Sequence, residues 1–314
     1  MSTVPTIVLG GTGYVAGELL RLIAGHPNYK LAGILSDSQP GEPVAKAFSH
    51  LASAYPDTKF ASIEEIEKLV TTLPVSAIFS AAPHGASAAL IDKLLAASEK
   101  AGTKPRVVDI SADYRYSTAD AYAAVYKHPH GAPQRIAQFT CAVPEHLATS
   151  PTSHVAHPGC FATAILLASV PLLKLGIATP QLFVSGVTGS TGSGRKPVEG
   201  THHPLRHGDL YAYNALTHRH APEVAACALA ATGVDLHADP FANPELVDVR
   251  PECCDGPHIL VPGRKVLVEG QAALNARRRT GMDDFKVGRA DRNRVDPDQN
   301  LGAGGNGYRL LAQS

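Results

Sequence analysis

Thr6-Ile7-Val8-Leu9-Gly10-Gly11-Thr12-Gly13-Tyr14-Val15-Ala16-Gly17-Glu18 is a β-branched and aliphatic run that breaks into glycines and then opens an amphipathic segment, Leu19–Ala24. The run is short enough for one buried strand, and the segment after it has helical spacing. Glycines between the two let the backbone turn sharply and come close to a pyrophosphate, whose charge sits on the helix N-terminus. A generic tight strand–helix turn would read the same way, but this one falls on the first strand-to-helix turn of the chain. Lys30–Leu35 reads as the second strand. Asp37 follows twenty residues after Gly17, where an acid commonly binds the ribose 2′-hydroxyl of NAD, while Ser36 and Ser38 beside it could hold the 2′-phosphate of NADP. Both dinucleotides stay open on these residues.

The pattern repeats downstream. A short helix is expected over Ser62–Val70, a buried strand over Ala77–Ala81, a helix over Ala86–Ser98 and a strand over Arg106–Ile110. Strands alternating with helices at this spacing give a parallel sheet with helices on both faces, an α/β fold of the Rossmann type. In such sheets ligands bind at the carboxyl ends of the strands. Gly10–Gly13, Ser36–Ser38, Pro83-His84-Gly85 and Ser111–Arg115 all fall at expected strand ends and should line one crevice. Residues 116–135 read as a loop with a short helix at Thr118–Tyr126, and His154–Ala156 as the last strand of the sheet.

That last strand delivers a thiol. Residues 155–175 run Val-Ala-His-Pro-Gly-Cys-Phe-Ala-Thr and on into helix-forming sequence. Pro158 and Gly159 make the turn, so Cys160 falls at or near a helix N-terminus. Unsatisfied backbone N–H groups there favour a thiolate, the nucleophilic form. A structural cysteine is the bland alternative. Beyond it, Gln181–Val187 is expected as a strand, followed by Thr188-Gly189-Ser190-Thr191-Gly192-Ser193-Gly194-Arg195-Lys196. Small residues expose backbone N–H groups and two cations follow, the chemistry of an anion cradle. Five histidines lie between 202 and 220. They include no Cys pair and only one carboxylate, Asp209, which argues against a metal site. His218 and His220, in His218-Arg219-His220-Ala221-Pro222-Glu223, lead into an expected helix at Val224–Ala231 and suit acid–base work. Either could move the proton. His202, His203 and His207 read as structural.

Composition sets the boundaries. The 314 residues suggest two domains, and 44% hydrophobic with 18% charged residues means a packed core. Lys and Arg total 28 and so do Asp and Glu, a balance that gives no support for nucleic-acid or membrane-surface binding. The longest apolar stretch, Ala164–Leu173, is too short to span a bilayer. The N-terminal residues run into a strand and lack the basic start of a secretory signal. Five cysteines, Cys141, Cys160, Cys227, Cys253 and Cys254, form no disulfide framework, so a reducing cytoplasm is the expected location. Val266–Leu274 is strand-like, and Arg277-Arg278-Arg279 reads as solvated surface.

Taken in order, these motifs resemble the N-acetyl-gamma-glutamyl-phosphate reductase family of arginine biosynthesis, whose sister family is aspartate-semialdehyde dehydrogenase. His157-Pro158-Gly159-Cys160-Phe161-Ala162-Thr163 is similar to the family's Asn-Pro-Gly-Cys-Tyr-Pro-Thr. The glycine loop, Pro83-His84-Gly85, Asp109-Ile110-Ser111-Ala112-Asp113-Tyr114-Arg115, Gly194-Arg195-Lys196 and the His-Arg-His segment match as well, over roughly residues 5–233. The resemblance implies a Rossmann-type domain over 1–157, an α+β catalytic and dimerisation domain over 158–290, and a C-terminal segment, 291–314, returning to the first domain. It implies an acyl phosphate substrate carrying a carboxylate and an acetamido group. Cys160 would form a thioester with loss of phosphate, and NADPH would reduce it to the semialdehyde, with NAD still open. The implied catalytic residues are Cys160, His218 and His220. Gly10, Thr12, Gly13, Tyr14, Val15, Ser36, Ser38, Pro83, His84 and Asn300 would bind the cofactor. Ser111, Arg115, Ser190, Gly192, Ser193, Arg195 and Lys196 would bind the substrate. No metal is implied, and the enzyme would be a homo-oligomer, a dimer or tetramer. The chain departs from the family late: Gln299-Asn300-Leu301-Gly302-Ala303-Gly304-Gly305 stands where the family carries Asp-Asn-Leu-x-Lys-Gly-Ala. A related semialdehyde dehydrogenase with another substrate, or a catalytically weak or silent dinucleotide-binding homologue, are the alternatives this leaves.

Overall fold

The computed structural model describes residues 3–236, apart from 148–149, 209 and 215–216. The described residues up to Lys196, together with those from Arg219, form one compact unit, and Pro197–His218 belongs to a second. The expected Val266–Leu274 strand, the basic run at 277–279, Cys253, Cys254 and Asn300 lie outside the described residues.

The first unit is built on six parallel strands: β1 (Val4–Leu9), β2 (Tyr29–Ile34), β3 (Val75–Ser80), β4 (Lys104–Asp109), β5 (Phe139–Cys141) and β6 (His154–Ala156). Their order across the sheet is β2-β1-β3-β4-β6-β5. Side chains alternate between the faces of a strand, and on β1 both faces are apolar. Ile7 and Leu9 pack with Ile66 and Val70 of α3 (Ile63–Thr72) and with Ile91 and Leu94 of α4 (Ser87–Ala101). Val8 packs on the other side with Ala16, Leu20 and Ile23 of α1 (Tyr14–Ala24) and with Phe48 just after α2 (Val44–Ala47). This is the doubly covered sheet the alternation of elements predicts.

A third cluster joins the paired helices α6 (Cys160–Lys174) and α8 (Ala221–Thr232) through Leu166, Val170, Val224 and Ala228. Within it the Cys227 thiol lies 3.5 Å from that of Cys141 on β5. α5 (Ala119–Tyr126) covers the loop after β4, and in the second unit's described part a 3-10 turn at Glu199–Thr201 precedes α7 (His203–Arg206).

Expected and observed strands agree to within two residues for the first four and coincide at β6. β5, a three-residue edge strand, was not expected. Gln181–Val187 is a correction: it joins no ladder among the described residues, with Phe183 81% and Val187 76% exposed. Apolar β-branched composition makes a strand only where a neighbour supplies hydrogen bonds. α1 starts five residues before the expected amphipathic segment, and α8 starts at Ala221 because Pro222 suits a first helical turn.

β1 and β3 are neighbours, and β2 lies on the other side of β1. Chain order reverses there, so the ends of β1 and β3 flank the switch-point crevice. Gly10 makes the crossing possible. Its φ is +80°, and a Cβ on it would sit 2.4 Å from the Ala81 carbonyl oxygen.

His154 on β6 is buried and neutral by design of its contacts. Its Nδ1 accepts the Val107 N–H at 3.2 Å and its ring lies against Phe139. Burial first, then the cations of Arg106 and Arg135, push its pKa down to about 4. The unfolded chain takes up this proton near 6.5 and the folded chain only near 4. Stability present above that window is therefore lost as pH falls through it. Urea midpoints at pH 7 and pH 5 should differ in the wild type, and His154→Gln, which keeps an acceptor and does not titrate, should shrink that difference. An unchanged difference would remove His154 as a source of acid sensitivity.

Candidate active site

The glycine loop comes first in the chain. The Gly11 N–H donates to the Leu35 carbonyl at 2.7 Å, tying the loop to the end of β2. α1 begins after Gly13 with no side-chain cap and no acid in its first turn. Its N-terminal N–H groups thus face the loop with no internal anion to satisfy them, and nothing lies closer than 3.8 Å to where a Gly13 Cβ would be. An uncapped helix end with open space over a glycine fits a pyrophosphate. Tyr14 and Val15 are exposed beside it. At the end of β2, Ser36 is buried and its Oγ lies 3.4 Å from that of Ser38, while Asp37 is exposed. Pro83 is exposed at the end of β3, and His84 Nδ1 accepts the Ala112 N–H at 2.9 Å. A neutral His84 therefore carries its proton on Nε2. Partial burial, and then the charges of Arg219 and Arg115, hold its pKa below the usual histidine value.

The loop after β4 is held by bonds of its own and by bonds to the start of α4, to α5 and to α8. Asp109 accepts from Ser87 Oγ at 2.8 Å and from Ser111 Oγ at 2.7 Å, and burial pushes its pKa up to about 6. Asp113 accepts the Gly85 and Ala88 N–H groups and the Tyr122 hydroxyl, holding the start of α4. Ser111 is thus turned inward. So is Arg115, which is 6% exposed. Its Nε donates to the His157 carbonyl at 2.9 Å, Nη2 to the Ile110 carbonyl at 2.7 Å and Nη1 to Glu223 at 3.2 Å.

Cys160 is the first residue of α6 and is exposed. Gly159, the N-cap, has φ −63°, which any residue adopts; what requires glycine is space. A Cβ there would lie 2.4 Å from His220 Nε2 and 2.9 Å from Arg115 Nη1. The bare backbone lets Nε2 and Cε1 of the His220 imidazole approach the residue next to the thiol. The Gly159 N–H donates to Glu223, in the first turn of α8. Glu223 is 0% exposed; burial raises its pKa, and Arg115 opposes that rise.

His218 belongs to the second unit, where its ring meets Tyr213 edge-on. Ser190–Ser193 forms an exposed 3-10 turn that includes Gly192, and Lys196 is exposed. Arg195 reaches the glycine loop: Nη1 donates to the Thr12 carbonyl and Nη2 to the Ala47 carbonyl, both at 3.1 Å, over the Phe48 ring. The structure therefore brings together Cys160, His220 and Arg115, and separately Gly10–Val15 with Arg195. Sequence reasoning quoted Glu223, Arg219 and Tyr126 and gave them no role. An acid in a first helical turn reads as an ordinary dipole partner, and Glu223's own partner, Arg115, is 108 residues away.

Residues 6–146 match the NAD binding domain of semialdehyde dehydrogenases, and residues 160–249 match their dimerisation domain. The N-acetyl-gamma-glutamyl-phosphate reductase of Methanopyrus kandleri is 33% identical over 240 residues, 76% of this chain and 67% of that protein. The enzyme of the same name from Pseudomonas fluorescens Pf0-1 is 37% identical over 232 residues, 73% of this chain and 64% of that protein. The [LysW]-L-2-aminoadipate 6-phosphate reductase of Deinococcus radiodurans is 33% identical over 219 residues, 69% and 59% of the two chains. The chain thus spans about three fifths to two thirds of the length of the relatives it matches. On the strength of both matched domains and the Methanopyrus relative, the chain belongs to the N-acetyl-gamma-glutamyl-phosphate reductase family of semialdehyde dehydrogenases.

Proposed function

We propose that this protein reduces N-acetyl-gamma-glutamyl phosphate to N-acetyl-glutamate semialdehyde, with release of phosphate, through a thioester on Cys160. The observation that carries the reading is the packing of His220 against Gly159, beside an exposed thiol at a helix N-terminus. His220 takes the thiol proton as sulfur attacks the acyl carbon, phosphate leaves, and a thioester remains. The glycine loop would hold a nicotinamide dinucleotide, with Ser36 and Ser38 available to a 2′-phosphate and exposed Asp37 to a ribose hydroxyl, and the bound cofactor, NADPH or alternatively NADH, would supply the hydride. His220 then protonates the oxyanion and reclaims the proton as the thiohemiacetal collapses to aldehyde and thiolate. His220 is preferred to His218 because its ring touches the cap of the nucleophile's helix. Among the described residues no helix is long and apolar enough to cross a membrane, and we place the protein in the cytoplasm as a homo-oligomer. We assign residues 1–157 to dinucleotide binding, 158–290 to catalysis and association, and 291–314 to a return toward the first domain. The similarity to the Deinococcus protein supports a second reading, an acyl-phosphate reductase for another amino-acid substrate.

The reaction is testable in reverse, with N-acetyl-glutamate semialdehyde, phosphate and either NADP or NAD, by the absorbance of the reduced nicotinamide. Cys160→Ser should abolish turnover and leave dinucleotide binding intact. Surviving turnover in that variant would refute the nucleophile assignment.

The Arg115–Glu223 pair acts one step back from the chemistry, as a clamp on residues 157–159. Removing one partner leaves a buried charge alone, so Glu223→Ala should lower unfolding free energy by about 3–5 kcal/mol. The double variant Arg115→Met, Glu223→Leu should regain only part of that stability, because the ions are removed together but the His157 and Ile110 carbonyls and the Gly159 N–H lose their partners. It should still react abnormally at Cys160, since the Gly159 N–H loses its acceptor. Urea melts and iodoacetamide alkylation rates check both halves; a double variant with wild-type alkylation and turnover would reduce the pair to a purely structural role.

A further inference from the structure

Two side chains beside the site are left without the polar partners their chemistry calls for. The Tyr126 hydroxyl is buried and has no hydrogen-bond partner among the described residues. Such a group is unfavourable until something satisfies it. Its ring is held in place by Tyr122, stacked at 4.9 Å, by Tyr116, edge-on at 6.2 Å, and by His84 at 6.0 Å. Over the same ring, at 5.6 Å, lies the guanidinium of Arg219. Arg219 is exposed, and among the described residues its side chain pairs with no carboxylate. Its backbone is fixed, because its carbonyl accepts the Tyr116 hydroxyl at 3.2 Å. It directly precedes His220.

Contrast the other arginine of the site. Arg115 is buried and spends N–H groups from all three of its nitrogens on the His157 and Ile110 carbonyls and on Glu223. Arg219 is the cation with donors to give. A guanidinium offers two parallel N–H groups to the two oxygens of a carboxylate. A phenol beneath it adds a third, neutral donor once the guanidinium tilts from the ring toward the ligand.

We propose that Arg219 and Tyr126 anchor the carboxylate of the substrate, placing its acyl carbon toward Cys160. The proposal rests on the reductase reading for the substrate's identity and deepens it by naming the residues that select an acidic substrate over a neutral one.

The test compares N-acetyl-glutamate semialdehyde with its α-carboxamide, in wild type, Arg219→Gln and Tyr126→Phe. The amide keeps size and shape and loses the charge. Wild type should prefer the acid, in kcat/KM, by at least about tenfold, and Arg219→Gln should erase that preference by raising KM for the acid. Tyr126→Phe keeps the ring beneath Arg219 and should raise the same KM by about three- to tenfold, with kcat close to wild type. In both variants KM for phosphate and NADPH affinity, read by fluorescence, should stay within about twofold of wild type. An unchanged acid-to-amide ratio in Arg219→Gln overturns the proposal and leaves the reductase reading standing. A rise in phosphate KM or in the NADPH dissociation constant instead also overturns it, by assigning the pair to another anion. If wild type turns over neither compound with either dinucleotide, the reductase reading fails separately. Calorimetry with N-acetylglutamate then decides the anchor: binding by wild type that Arg219→Gln loses upholds it, and equal or absent binding overturns it.

Discussion

The site depends on one buried ion pair. Arg115, at the end of the loop after β4, and Glu223, in the first turn of α8, meet at 3.2 Å with almost no exposure. Neither is there for surface attraction, which water would weaken. Each also holds backbone: Arg115 takes the His157 and Ile110 carbonyls, and Glu223 takes the Gly159 N–H. Those bonds satisfy the remaining lone pairs and protons, the condition under which a buried pair is tolerable. The turn carrying Cys160 is thereby gripped from both sides, and α8, which brings His220, is fixed to the sheet by the same contact. The position of Cys160 and the position of His220 have a common cause.

Much of the sheet was legible because its signals are local. Gly10 is required by a positive φ and by the Ala81 carbonyl, and both follow from a strand that must turn into a helix beside another strand end. Doubly apolar β1, the serines after β2 and the thiol at the start of α6 are likewise short-range readings. What was not legible is tertiary. Gly159 reads as a turn glycine, yet its φ is ordinary and its purpose is to make room for a ring 61 residues later in the chain, that of His220. Arg115 reads as a substrate cation because nothing nearby in sequence claims it. Gln181–Val187 reads as a strand because composition reports what a strand would bury, and says nothing of whether a partner lies beside it.

The same limit explains Arg195. In sequence it follows a Gly/Ser run and looks like part of a phosphate cradle. In space its guanidinium rests on the glycine loop, bonded to the Thr12 and Ala47 carbonyls. A loop rich in small residues has no preferred shape of its own, so the destination of its arginine is decided by whatever acceptors it reaches. Here one acceptor belongs to the glycine loop and the other to the end of α2. The run 188–196 is thereby tied to the glycine loop and to α2.

Three arginines therefore divide the polar work by burial. Arg115 is enclosed, and its hydrogen bonds are all internal; charge there sets geometry. Arg195 is exposed, and carbonyl oxygens, not carboxylates, hold it, so its charge is not cancelled. Arg219 rests on a ring face, an attraction worth about 0.5–1 kcal/mol at an exposed site and easily exchanged for a carboxylate. A cation meant to grip a passing anion cannot already be paired with one, because the exchange would cost as much as it returns. An aromatic face solves that problem: it keeps the guanidinium in place, oriented, and ready. By this reasoning the residue that looks least committed in the fold is the one best suited to meet the substrate.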